Sequence, residues 1–356
     1  MGVEKNIIMN QFNGTDYDTL YPKTKVEQVE DAYSQQQILA DSTKALYGLG
    51  NDAVPDDVFF VIALSKGKHI IRLTAVFSDG TPADDVLIQG IQPITGSEVR
   101  TNSKGIAVGY TDTDSTVVSV KDYIGIDDAS VTASSTGKND IVNVSMTLTK
   151  NNSLYTISES CTKYVHKSAI QLDLCTVGGG AAGGNGTGYD AQGYGSGGGG
   201  GYVNNVAITA ISAIRSLLMQ IGAGGATNGA TGGATSVTRQ DGAVLSQASG
   251  GGPGTTGNGT GGSGSRASPG SGGNSTTNIF NDASLGLAGG GGGGGGGYSV
   301  SGDGGNPYGG KGSYGVGASA GRGPGGGGGG GSASEDSGHR AGGSGYRGVI
   351  YARVRY

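Results

Sequence analysis

The sequence predicts a mainly β fold in three parts: a short N-terminal helical segment, a small antiparallel β-sandwich and a glycine-rich C-terminal domain. Three observations predict it. Helix start and stop signals crowd residues 1–67, apolar residues alternate with period two from His69 onward, and glycine usage changes abruptly near Val177. Of 77 glycines in 356 residues, about 12 precede Val177 and roughly 65 follow it. That is more than a third of the second half, against a usual share of about 7%.

Residues 1–67 form the first part. Pro22 precedes a Thr24 to Glu27 capping box, and Val26, Val29 and Tyr33 are spaced for one helix face. Asp41 and Gly48 bracket a second short helix. Pro55, Asp56 and Asp57 start a third, with Val58, Phe59 and Ile62 on its apolar face and Gly67 as its stop. Three such helices bury little on their own, so this segment is expected to dock on another chain.

Residues 68–150 form the second part, where the period becomes two. Ile71, Leu73, Ala75 and Phe77 share one face, as do Val142, Val144, Met146 and Leu148, and turn signals separate the runs. The spacing predicts an immunoglobulin-like sandwich that lacks the cysteine pair and tryptophan of antibody domains.

Residues 151–356 form the third part. TISES and IQLDLCTV read as strands leading directly into GGGAAGGNG. Cys161 and Cys175 flank what reads as one hairpin; a disulfide between them is conceivable, and reduced thiols are the favoured expectation without an export signal. A further apolar run, YVNNVAITAISAIRSLLMQIGAGG, follows, and alternation in GVIYARVRY predicts a strand that closes the fold. The run of nine glycines at residues 289–297 would be a flexible linker by composition. Glycine is also the residue that lets backbones approach from every side.

Composition excludes several functions. A formal net charge of −5 gives no basic footprint for nucleic acid. No window of 18 apolar residues exists to insert in a membrane, and the N-terminus carries no secretory signal. G-x-G-x-x-G matches near Gly184 are expected by chance at this glycine content and are followed by no helix start, so no nucleotide cofactor is expected. His69, His166 and His339 have no metal-ligand spacing, and no metal is expected. Asp336, Ser337 and His339 are adjacent in a polar loop, unlike a triad assembled from rigid elements. TDTDSTVV lacks the glycine and glutamate of a calcium loop, and GDGGN at residues 302–306 does not recur as a calcium repeat.

Tyrosines carry the stronger signal. Tyr189, Tyr194, Tyr202, Tyr298, Tyr308 and Tyr314 lie in or beside glycine-rich segments. A phenol ring gives a rigid contact face with a polar tip, suited to recognition; it equally covers bare backbone or fills gaps between layers.

The opening NQFNGTDYDTLYPKTKVEQV with TKALYGLG resembles N-terminal segments of phage tail appendages. Over residues 151–356, IQLDLCTVGGGAAGGNG, GGGGGYVNN, LLMQIGAGGATNGATGGATSV and the strand after GGSGYRG are similar to the glycine-rich domains of bacteriophage adhesins and tail-fibre tips. The central AITAISAIRSLL lacks the proline-glycine turn common in that family.

The resemblance implies that the glycine runs adopt polyglycine II, an extended three-residue helix without internal hydrogen bonds, whose backbone groups pair with lateral neighbours. It implies a non-enzymatic virion protein, made in the host cytoplasm and placed in the tail or baseplate as a homotrimer. Residues 1–67 would attach to other tail proteins, residues 68–150 would be a spacer, and residues 151–356 would be a tip that recognises a bacterial surface protein or glycan. Candidate receptor contacts are Asn185, Tyr189, Asp190 and Tyr194 in residues 185–194, Tyr298, Asp303, Tyr308 and Tyr314 in residues 298–314, and Glu335, His339 and Arg340 in residues 335–340. Two alternatives stay open: a purely architectural baseplate component, and a polysaccharide depolymerase, which needs carboxylates paired at about 5–10 Å.

Overall fold

The computed structural model describes residues 69–94, 96–135, 141–186, 195–253, 280, 301–306, 308–313, 317–334 and 338–356. The helices expected over residues 1–67 and the run at residues 289–297 lie outside them. Among the described residues the fold is mainly β, built of several small sheets, with no helix. Two compact units form. One ends at Lys121 and resumes over Asp128–Thr149; the other takes Asp122–Asp127 and Lys150–Tyr356.

The first unit holds β1 (His69–Phe77), β2 (Leu87–Ile88), β3 (Gln92–Pro93), β4 (Val99–Arg100), β5 (Ile106–Thr111), β6 (Ser115–Val120), β7 (Ala129–Ser134) and β8 (Ile141–Leu148). Its main sheet has the order β3-β5-β1-β8, while β2 pairs with β4 and β6 with β7. Gln89 and Ser119 exchange two backbone hydrogen bonds, 2.9 and 3.0 Å, that tie the two ribbons together. The alternation in β1 does what its period requires: Leu73, Ala75 and Phe77 are buried, as are Met146 and Leu148 on β8.

One pairing departs from the antiparallel expectation. β1 and β8 run parallel, from Ile70 opposite Ile141 to Phe77 opposite Leu148. Alternation records which face is buried and carries no information on strand direction. A parallel pair needs a long crossover, which the chain between them supplies.

The second unit is built on two four-stranded sheets. Its strands are β9 (Tyr155–Ile157), β10 (Cys161–Tyr164), β11 (Gln171–Val177), β12 (Val203–Ile208), β13 (Ser216–Gln220), β14 (Thr235–Arg239), β15 (Val244–Ala248), the two-residue β16 (Ala333–Ser334) and β17 (Gly338–His339), and β18 (Val349–Arg355). One sheet has the order β12-β11-β18-β9 and the other β10-β13-β14-β15. β10 and β11, expected as a hairpin, belong to different sheets, and so do β12 and β13. Cys161 and Cys175 are both free thiols. They lie on different apolar clusters, Cys161 beside the main core and Cys175 within the cluster on the other face of β11.

Toward the glycine segments, the side chains of β11, β14 and β15 become smaller. Leu172 and Leu174 of β11 pack with Leu217, Met219, Val237, Ile350, Ala352 and Val354 in the main core. One step further come hydroxyls: Thr176, Thr235 and Ser246 are buried. Thr176 Oγ1 lies 3.0 Å from Ser246 Oγ, and Thr235 Oγ1 accepts from the Gly222 N–H at 3.0 Å. Another step along β11 and β18 leaves only glycine, at Gly178 and Gly348.

The opposite face of β11 carries Cys175 and Val177, which pack with Phe280, Val349 and Tyr351. Asp173 is buried on that face, with its Oδ2 accepting from Arg355 Nη2 at 2.8 Å and Nε at 3.0 Å. Arg353 Nη2 lies 3.4 Å away, and its guanidinium sits 5.1 Å from the Phe280 ring centre. The buried carboxylate is thereby paired, as a buried charge must be.

Candidate functional site

Beyond the sheets, glycine segments pair mainly backbone to backbone. Residues 178–186 donate in a rotation of three. Gly178, Ala181 and Gly184 bond the carbonyls of Tyr202, Gly199 and Ser196; Gly179 and Ala182 bond those of Gly233 and Ala230; Gly180, Gly183 and Gly186 bond those of Tyr346, Gly343 and Arg340. Each step of three along the segment is matched by three residues on an antiparallel neighbour.

Carbonyls of the same segment serve three other neighbours. Gly179 accepts from Gly251, Gly180 and Gly183 from Gly225 and Gly229, and Ala181 and Gly184 from Gly328 and Gly331. Residues 178–186 are therefore enclosed on all sides by backbone. Residues 325–332 are enclosed similarly, accepting from Gly201, Gly198 and Gly195 on one side and from Gly310 and Ser313 on another.

Contact this close excludes side chains at most positions. A Cβ on Gly180 would stand 2.1 Å from the Gly326 oxygen, one on Gly183 2.0 Å from the Gly329 oxygen, and one on Gly328 1.9 Å from the Gly343 oxygen. Gly184 differs, because its nearest atom would be the Ser196 nitrogen at 3.6 Å, an ordinary contact.

One end of this bundle joins the sheets through Val177, Val203 and Val349. At the other end, residues 184–186, 195, 330–332 and 340 come together. Gly331 donates to Gly184, Gly195 to Gly331, Gly186 to Arg340 and Arg340 to Ser332. Ser313 joins them by donating to Gly330 at 3.0 Å. Buried hydrogen-bonding groups gather here without partners: Ser313 Oγ, Ser332 Oγ and Arg340 Nε. An unpaired buried polar group is costly, and such groups ordinarily find a partner.

The sequence-derived candidates divide between the two ends. Asn185 and Arg340 meet at the far end, where Arg340 follows β17 and its His339. Asp303 is exposed, with Lys311 Nζ 3.5 Å from its carboxylate. Tyr308 lies toward the sheets. Its carbonyl accepts from Arg322 at 2.8 Å, a Cβ on Gly326 would meet that same carbonyl oxygen at 2.2 Å, and a Cβ on Gly323 would strike its ring at 2.4 Å. Gly326 is five residues before Gly331. Tyr189, Asp190, Tyr194, Tyr298, Tyr314 and Glu335 lie outside the described residues.

Burial raises the pKa of two groups on the face of the sheet under Phe280. It pushes the Tyr351 phenol up to about 12, with Tyr308 nearby adding to the effect. It likewise pushes the Cys175 thiol up to about 12. A thiol held protonated is a weak nucleophile. Among the described residues no group of three or more His, Cys, Asp or Glu side chains is placed to hold a metal ion, and no helix is long and apolar enough to cross a membrane. No protein-family model and no curated protein matches the chain.

Proposed function

We propose that this chain is a non-enzymatic tail-fibre or baseplate protein of a phage or phage-like particle, whose glycine-rich half displays receptor-binding loops. The glycine segments form a polyglycine II bundle, and the loops leaving its far end contact a bacterial surface protein or glycan. Residues 1–67 form a helical attachment segment for other tail proteins. Residues 68–150 form an immunoglobulin-like spacer, and the particle carries the chain as a homotrimer.

The observation that supports this reading is the three-residue rotation of hydrogen bonds along residues 178–186. An extended chain with three residues per turn and no internal bonds must pair laterally in three directions. Such a bundle is rigid where flexible chain would be the default, and rigidity lowers the entropy cost of binding by the loops it holds. Uncommitted polar groups at the far end, Ser313, Ser332 and Arg340, support recognition of a polar partner there. Weak single contacts gain avidity when the chain is repeated on a particle.

The test is binding of the labelled full chain to a panel of bacterial cells. It is compared with a variant in which residues 187–194 and 335–337 are replaced by glycine and serine. Saturable binding by the native chain and its loss in the folded variant is the expected result. A folded native chain that binds no cell overturns the receptor role and leaves an architectural tail component.

A further inference from the structure

The turn at residues 227–230 interrupts two hydrogen-bond ladders of the bundle, and the way they are repaired assigns a role to two asparagines. Along the first ladder, Gly179 donates to Gly233 and Ala182 to Ala230. The same step of three would bring the Asn185 N–H to the Thr227 carbonyl. That carbonyl is taken by the Ala230 N–H at 2.9 Å, which closes the turn. The Asn185 N–H instead donates to the side-chain Oδ1 of Asn228, 3.1 Å away.

The second ladder fails at the same turn. Gly348 donates to Gly222 and Gly345 to Gly225, so the next step would bring Gly342 to the carbonyl of residue 228. Gly342 N–H instead donates to Asn185 Oδ1 at 2.9 Å. Asn228 has a φ of 43° and the next residue, Gly229, one of 73°. Asparagine is among the few residues that enter this left-handed region readily, and its side-chain amide carries a carbonyl like that of the backbone. Each asparagine thus supplies a carbonyl where the ladder has run out, as capping residues do at helix ends.

We infer that Asn185 and Asn228 form a relayed side-chain cap that ends these two backbone ladders, Asn228 capping Asn185 and Asn185 capping Gly342, and that it fixes the chain as far as Gly186. Asn185 is then a positioning residue, its amide oxygen committed to Gly342, and the receptor contacts lie beyond it. The positioning role rests on the receptor reading; the cap itself does not.

Site-resolved amide hydrogen exchange on the full chain tests the cap without any cell present. Asn185→Ala lowers protection of the Gly342 amide by about fivefold or more, the worth of one hydrogen bond. Asn185→Asp, which keeps the acceptor, restores it. Asn228→Gly keeps the left-handed backbone, removes the acceptor and lowers protection at the Asn185 amide; Asn228→Asp restores it. Unchanged protection at Gly342 in Asn185→Ala and at Asn185 in Asn228→Gly overturns the cap.

Cell binding tests the positioning role separately. It weakens in Asn185→Ala and recovers in Asn185→Asp. If Asn185→Asp abolishes binding while Gly342 stays protected, Asn185 contacts the receptor and the positioning role is wrong. If the native chain binds no cell, the receptor reading fails while the exchange data still decide the cap.

Discussion

The two ends of the second unit bury their chains by opposite means. At the sheet end, side chains such as Leu172 and Leu174 fill the space between two sheets. At the bundle end, bare backbone fills it, and Gly180, Gly183 and Gly328 leave no room for a single methyl group. Burying a leucine is worth about 1.5–3 kcal/mol. A hydrogen-bonded glycine gains roughly 0.5–1.5 kcal/mol against about 1–2 kcal/mol of lost backbone freedom. The bundle alone is close to balance or below it, and the sheets supply the surplus. They also set its register, because residues 178, 202, 234, 249 and 348 directly continue base strands.

The largest expected effect breaks the bundle directly. Gly328→Val places a branched side chain 1.9 Å from the Gly343 oxygen, with backbone on every side and no flexible side chain to yield. The bundle should fail to form, seen as loss of amide protection throughout residues 178–186 and 325–332. Retained protection would mean that the close contact at Gly328 is not needed for the backbone pairing.

Next comes the sheet end. Leu174→Ala empties a fully buried site and should cost about 2–5 kcal/mol, measured by denaturant unfolding. If the sheets anchor the bundle, glycine amides lose protection together with those of β11 in one transition. Separate transitions would show that the bundle is stable without its base.

A smaller effect comes from alkali. Cys175 is raised from 9.0 to about 12 by burial, so the folded state holds its proton longer than the unfolded one. Its contribution is fully present below pH 9 and is lost as pH rises toward 12. Cys175→Ala should flatten that alkaline fall in stability, and at pH 8 the native thiol should resist alkylation while half-buried Cys161 reacts. Rapid alkylation of Cys175 would show that the face under Phe280 opens.

Much of the strand content of both units was legible in the sequence. Alternation located β1, β8 and β18, because one buried face leaves a period of two. Pairing was not legible: the turns after Cys161–Tyr164 and Val203–Ile208 are local signals, whereas their strands join partners far along the chain. Within the glycine half, residue type left both a flexible linker and close backbone contact open. Which loop sits at which end was not legible, since Tyr308 and Asn185 lie in similar glycine-tyrosine contexts and the lateral pairing decides their place. Asn228 was missed. Its signal was an Asn-Gly pair at a break in a glycine-rich run, the counterpart of Asn185-Gly186.

The smallest expected effect is also the sharpest test of close backbone packing, the central claim. Gly183→Ala and Gly184→Ala make the same chemical change at adjacent residues of one rod. A Cβ would meet the Gly329 oxygen at 2.0 Å in the first and nothing nearer than 3.6 Å in the second. Thermal unfolding of the two variants should show Gly183→Ala destabilised by about 1–3 kcal/mol. Gly184→Ala should be unchanged or raised by about 0.4–1 kcal/mol through its stiffer unfolded chain. Equal effects at the two positions would contradict the account, because a flexible glycine tether treats neighbouring residues alike.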